Sequence, residues 1–197
     1  MRGFGNIKEK NNKQIIEKAV ETILTDGLEL EIQDNPHLQK TPQRVAKAIL
    51  ELTTGYKQDI QEYKTVFPNN DQQENQIIIL HPIQAYSLCS HHLLPFKMNI
   101  SIGYIPRNEI IGISKLERIT QNICHKLQVQ ENIATEIIQD INTLLNPHGV
   151  IVYINNTEHT CMTMRGVKSA KAGLTTLKTS GLFKDEKYSK QFMQMIQ

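Results

Sequence analysis

Long apolar runs are missing from this 197-residue sequence. The densest, Ile77-Ile78-Ile79-Leu80, falls far short of the roughly 20 residues that a membrane-spanning helix needs. The stretch from Met1 to Lys13 carries charge and glycine but no apolar core for a secretion signal. Both absences lead to the expectation of a soluble, cytoplasmic protein with no membrane partner. Cysteine is scarce and odd in number: Cys89, Cys124 and Cys161. Three thiols without a secretion signal argue against a disulfide framework and for thiols that are free or metal-bound. Excess charge is also small, +2 from 22 basic and 20 acidic residues, too little to imply polyanion binding by itself. Its distribution is uneven, because Arg165, Lys168, Lys171, Lys178, Lys184, Lys187 and Lys190 face only Asp185 and Glu186. That segment could meet an anion, or could be a solvated lysine-rich surface. There is no internal repeat and no low-complexity tract.

What is present suffices for one well-buried core and is short for two. Ile15, Ile16, Ala19, Val20, Ile23 and Leu24 recur at helical spacing after the capping candidates Asn11 and Asn12, with Gly27 beyond. A second helix is predicted from a Thr41 cap and Pro42 in the first turn, with Val45, Ala46, Ile49 and Leu50 on one side and a stop at Gly55. Arg44 and Lys47 fall on its exposed face. Between Tyr56 and Asn75 the polar, irregular sequence reads as a connection. From Gln76 the period becomes that of strands: Gln76 to Leu80, Ala85 to Cys89, and Met98 to Tyr104. Two helices follow, carrying Leu116, Ile119, Ile123 and Leu127, then Ile133, Ile137, Ile138, Ile141 and Leu144. Strands are predicted again over Val150 to Ile154 and His159 to Met164, then a short amphipathic helix with Phe192, Met193 and Ile196. The order predicts an α+β protein, an antiparallel sheet backed by paired helices. A helical segment over residues 1–60 precedes the sheet-bearing residues 61–197, in one structural unit overall.

The strongest chemical signal is Cys89-Ser90-His91-His92, at the end of a predicted strand. A thiolate and an imidazole with two residues between them can share one metal ion in a turn, and a catalytic zinc takes three protein ligands and one water. A buried free cysteine beside a hydrogen-bonded histidine would leave the same spacing. Cys161 is the candidate third ligand, and in a strand His159-Thr160-Cys161 the two-residue period would point His159 and Cys161 to one face. Cys124, beside His125 in a helical stretch, is assigned to packing. His37, His81 and His148 stand singly and take ordinary surface roles. Gly112-Ile113-Ser114-Lys115-Leu116-Glu117-Arg118 runs from a short strand into a helix, and surrounds exposed backbone N–H groups with positive charge. It suits a phosphate, or is a simple helix cap. At the junction of the two central helices, Gln130 and Glu131 could read a base edge or cap the second helix.

In this order the pieces resemble the GTP cyclohydrolase I family from about Ile15 onward. The resemblance rests on Lys40 to Ala46, Cys89-Ser90-His91-His92-Leu93-Leu94-Pro95-Phe96, Ile102-Gly103-Tyr104, Ser114-Lys115-Leu116, Leu127-Gln128-Val129-Gln130-Glu131 and His159 to Gly166. It implies the tunnelling fold, a homo-oligomer that is a decamer with active sites between subunits, and Zn2+ on Cys89, His92 and Cys161. The implied reaction opens the guanine imidazole ring of GTP, releases formate and rearranges the rest to 7,8-dihydroneopterin triphosphate. His91 and His159 would carry protons. Gln130 and Glu131 would read the purine. Ser114, Lys115, Arg118 and Arg165 would hold the phosphates, with Arg44 and Lys47 from a neighbouring subunit. The basic C-terminal segment would then face a triphosphate and not nucleic acid. Three departures from the family pattern stand out: Ser90 where glutamate is usual, Asn132 where arginine is usual, and the segment Lys168 to Leu174. Ser90 and Asn132 motivate the alternative of a divergent paralogue that acts on another purine or pterin, or halts after ring opening.

Overall fold

The computed structural model describes residues 4–70, 76–169 and 171–197. Contacts divide the chain into two compact units, Met1–Thr53 and Thr54–Gln197. The first unit is a pair of helices: α1 (Phe4–Thr22), extended by a wide turn over Ile23–Gly27, and α2 (Thr41–Leu52). The two helices pack against each other, with Val20 on α1, Ala46 on α2 and Ile32 of the connection buried. Asn11 and Asn12 lie inside α1 and do not cap it, since the helix starts at Phe4. Asparagine inside a helix costs under about 0.7 kcal/mol relative to alanine, and the surrounding Lys, Glu and Gln residues propagate the turn. In α2 the cap is Lys40, and Thr41 is the first helical residue. Arg44 and Lys47 are exposed, as the periodicity predicts.

In the second unit a five-stranded sheet has the order β5-β2-β3-β6-β7, built from β2 (Ile78–Cys89), β3 (Pro95–Ile105), β5 (Leu127–Gln128), β6 (Gly149–His159) and β7 (Leu174–Gly181). All neighbours are antiparallel except β5, which runs parallel to the end of β2. Strands β1 (Val66–Pro68) and β4 (Glu109–Ile111) form a separate small ladder. Helices α3 (Ile113–Cys124) and α4 (Gln130–Leu145) cover one face of the sheet. Their apolar stripes, Leu116, Ile119 and Ile123 with Ile133, Ile137 and Ile141, meet the alternate strand residues Ile83, Ala85, Met98, Ile100, Val152 and Ile154. The short helix α5 (Thr160–Thr163) follows β6, and α6 (Glu186–Met195) packs against the opposite face of the sheet. There Phe183 and Phe192 cover Ile105 and Ile151, which explains why the second half of β3 is buried on both faces. Gly103 permits this approach: a Cβ would lie 2.7 Å from the Phe192 ring. The α+β architecture, an antiparallel sheet backed by two helices, is therefore the predicted one. Among the described residues no helix is long and apolar enough to cross a membrane.

Four local expectations are corrected. Gln76 to Leu80 and Ala85 to Cys89 belong to one strand, β2, whose pairing shifts between Leu80 and Ile83 around a cis His81–Pro82 bond. Bulges of this kind hide a continuous strand from a period-two search. The expected strand from His159 to Met164 ends at His159, and Thr160–Thr163 form one helical turn. Phe96, the second residue of β3, already pairs with His159, so the chain beyond lacks a partner and closes locally through Met164 N–H to the Thr160 carbonyl at 2.9 Å. Strand β7 was not expected, because Leu174 and Leu177 do not alternate with polar residues. It forms because the open edge of β6 supplies backbone partners. The connection after Tyr56 contains β1 and one short 3-10 turn, Ile60–Tyr63, while residues 71–75 of that stretch lie outside the described residues.

Candidate active site

Cys89 closes β2 and is buried. Its N–H donates to the Leu94 carbonyl at 2.8 Å, and its carbonyl accepts from Leu93 N–H at 2.8 Å and His92 N–H at 3.3 Å. The turn so formed passes through Leu93 in the left-handed region, at φ 55°. It folds the next side chains back over the strand end, which leaves the Cys89 sulfur 3.8 Å from Nδ1 of both His91 and His92. Ser90 is exposed, and its N–H donates to the Gln128 carbonyl at 3.0 Å, so the turn is tied to β5 and hence to the start of α4.

Cys161 arrives from α5, beyond the end of β6, and packs against the same core cluster as Cys89. The ligand atoms of Cys89, His92 and Cys161 all lie within 4.8 Å of one another. Donor atoms on a tetrahedral zinc stand about 3.5 to 3.8 Å apart, so two sulfurs and one imidazole at these separations fit a metal ion of that type. Burial and the adjacent Cys89 push the Cys161 thiol up from its ordinary range, with Arg165 opposing. A metal would reverse that, because a coordinating thiol is deprotonated. These three residues can hold a metal ion. Cys124, by contrast, is fully buried on α3, its thiol raised to about 12 by burial, which agrees with packing.

His159 is the last residue of β6, directly across from Phe96, and its ring stacks on that phenyl with centroids 4.5 Å apart and planes 20° apart. Burial lowers its pKa from the usual histidine value, with Glu131 acting in the other direction. Its Nε2 lies 3.2 Å from Oε1 of Gln130. Gln130 opens α4 but does not cap it: the cap position is Val129, with no side-chain cap bond. The Gln130 side-chain nitrogen donates to Thr176 Oγ1 at 3.2 Å and to the Leu174 carbonyl at 3.4 Å.

Cys89, His91, Gln130, Glu131, His159 and Cys161 line one cavity of about 470 Å³. The structure thus joins in this cavity two of the expected metal ligands, both expected proton carriers and both expected base readers, while His92 reaches the two cysteines without lining the cavity. It does not join the expected phosphate residues to them within one chain. Ser114 and Arg118 line a second cavity of about 760 Å³, together with Tyr63 and His125, and the two cavities have no lining residue in common. Ser114 is not a cap either, since Gly112 takes that position without a side-chain bond. Lys115 is half-buried in the first turn of α3. Arg165 is exposed just past α5, and Arg44 and Lys47 lie on α2 in the first unit. Lys47 sits 3.6 Å from Glu51. Met162, Gly173 and Leu174 line the first cavity without having been foreseen, because nothing in their spacing marks a strand that returns to the site.

Residues 16–197 match the family described as GTP cyclohydrolase I. GTP cyclohydrolase 1 of Dictyostelium discoideum is 36% identical over 202 residues, covering 98% of this chain and 84% of that protein. The enzyme of the same name from Bacteroides thetaiotaomicron is 42% identical over 161 residues, 81% of each chain. That of Saccharomyces cerevisiae is 36% identical over 190 residues, covering 96% of this chain and 76% of its own.

Proposed function

The chain belongs to the GTP cyclohydrolase I family of enzymes, and from that membership we propose that it hydrolyses the guanine imidazole ring of GTP, releases C8 as formate and rearranges the remainder to 7,8-dihydroneopterin triphosphate. The observation that carries this reading is that Cys89 and Cys161, two members of a Cys-His-Cys cluster completed by His92, line one cavity with two further imidazoles, His91 and His159.

Zn2+ held by Cys89, His92 and Cys161 would supply Lewis acidity and make water deprotonable near neutral pH. The protein's own groups do the rest. His91 and His159 move protons to N7 and N9 as the two carbon–nitrogen bonds at C8 break, general acid–base work that an imidazole can do. Glu131, exposed at the start of α4 beside the cavity, accepts hydrogen bonds from the guanine edge. Ser114, Lys115, Arg118 and Arg165 hold the triphosphate, assisted by Arg44 and Lys47 of a neighbouring subunit. The separation of the Ser114–Arg118 cavity from the Cys89 cavity within one chain supports a site assembled between subunits of a homo-oligomer, a decamer by family resemblance. An Amadori rearrangement of the ribose and ring closure complete the product.

Incubating zinc-loaded protein with GTP, and assaying formate together with pterin fluorescence after oxidation, tests the reading. Both signals are expected. Formate alone would mean arrest after ring opening. Neither, with zinc bound, would favour a paralogue acting on another purine or pterin, which the exposed Ser90 and Asn132 at family-variant positions would then explain.

A further inference from the structure

We propose that Gln130 is a positioning residue for His159, holding the imidazole in one tautomer and one orientation, and that it does not read the purine. The residue is 1% exposed and every polar atom of its side chain is engaged by the protein. The Leu174 carbonyl can only accept, so the group facing β7 is the amide nitrogen. The amide oxygen therefore faces the imidazole. That oxygen can only accept too, which places the proton of neutral His159 on Nε2 and the free lone pair on Nδ1. Phe96, stacked on one face of the ring, removes the remaining freedom to turn.

The anchor is built from β7. Gly173 presses on the bulge of β6: a Cβ there would lie 2.5 Å from Asn156 Oδ1 and 3.1 Å from Asn156 Cα. Asn156 sits at φ 48°, inside the pairing shift between Ile154 and Thr157. This close approach sets where the Leu174 carbonyl and Thr176 hydroxyl stand, and so where the Gln130 carboxamide points. Both hydrogens of that amide are directed at β7, leaving none to donate to a base edge. Purine recognition by this pair of residues then falls to Glu131, whose carboxylate is exposed.

The kinetic part of the inference rests on His159 being a proton carrier in GTP ring opening; the tautomer part does not. Two variants test it in the full chain: Gln130→Leu, which removes both polar ends, and Thr176→Val, which removes one anchor and keeps the shape. In 15N-histidine-labelled protein, with the His159 signals assigned by their loss in His159→Asn, long-range 1H–15N correlations should show a single Nε2–H tautomer. Gln130→Leu should convert it to a tautomer mixture. With GTP, Gln130→Leu should lower kcat about 100-fold with KM within about threefold, the size of a lost acid–base contribution. Thr176→Val should lower kcat about fivefold in the same pattern, a fraction of that loss. An unchanged tautomer in Gln130→Leu, or a KM raised tenfold at constant kcat, would overturn the inference and return Gln130 to the purine. If wild-type protein shows the single tautomer yet yields no formate from GTP, the proposed function fails while the positioning role stands.

Discussion

The His159 ring lies over the Phe96 ring because the two residues are directly paired across the β3–β6 ladder. A buried side chain of the core thus packs against an imidazole that lines the cavity, and core packing and site geometry are joined at that contact. Phe96→Leu should cost about 1 to 3 kcal/mol, from lost volume and a lost stacking contact worth about 1 kcal/mol. It should also lower turnover, because the imidazole regains a rotation. Urea unfolding and steady-state kinetics on the same preparation check this; destabilisation with full turnover would show that the stack serves folding alone.

Cys161→Ala should lose the metal, since it reduces the cluster of three to Cys89 and His92. His91→Ala should keep it, because His91 approaches Cys89 but stands outside the three-residue cluster. Atomic absorption of the purified variants is expected to give near zero and about one zinc per chain, respectively. Chelation of the wild type should lower its melting temperature, as removal of any ligand bound only by the folded state does.

Glu131→Ala should chiefly weaken discrimination for guanine. Competing GTP against inosine triphosphate, which lacks the exocyclic amine, is expected to show selectivity falling by about 10- to 100-fold. Unchanged selectivity would leave Glu131 with no part in reading the base.

Asp140 on α4 is raised to about 6, first by burial, with Lys126 lowering it and Glu136 raising it. A carboxyl raised in the folded state favours folding when protonated, so this contribution is full below the unfolded value near 4 and is lost as pH rises through about 6. Asp140→Asn should therefore stabilise the protein at pH 7 to 8, by about 1 kcal/mol once solvent screening is allowed for, and the gain should vanish near pH 4. Denaturant midpoints across that range measure it, and a gain independent of pH would assign the effect to packing.

Helices α2, α3 and α4, the site turn after β2 and the amphipathic α6 were legible because each depends on residues within a few positions of one another. The Cys89–His92 pair belongs to this class: one turn places both side chains, whatever the rest of the chain does. The spacing that named Cys161 pointed to the right residue for a reason the fold replaces, since it reaches the cluster from a helical turn and not from a strand face.

By itself, then, the sequence determined the α+β plan and the helix-backed sheet through periodicity and local turn chemistry, and its resemblance to a family named the residues expected to converge. Only the tertiary structure decided how they meet. The Gln130 anchor comes from β7, more than forty residues away, through a strand created by the free edge of β6 and shaped by Gly173 against Asn156. Ser114 and Arg118 line a cavity that shares no residue with the one around Cys89. Strand pairing and helix docking are contacts between distant residues, and no spacing along the chain encodes the distance they close.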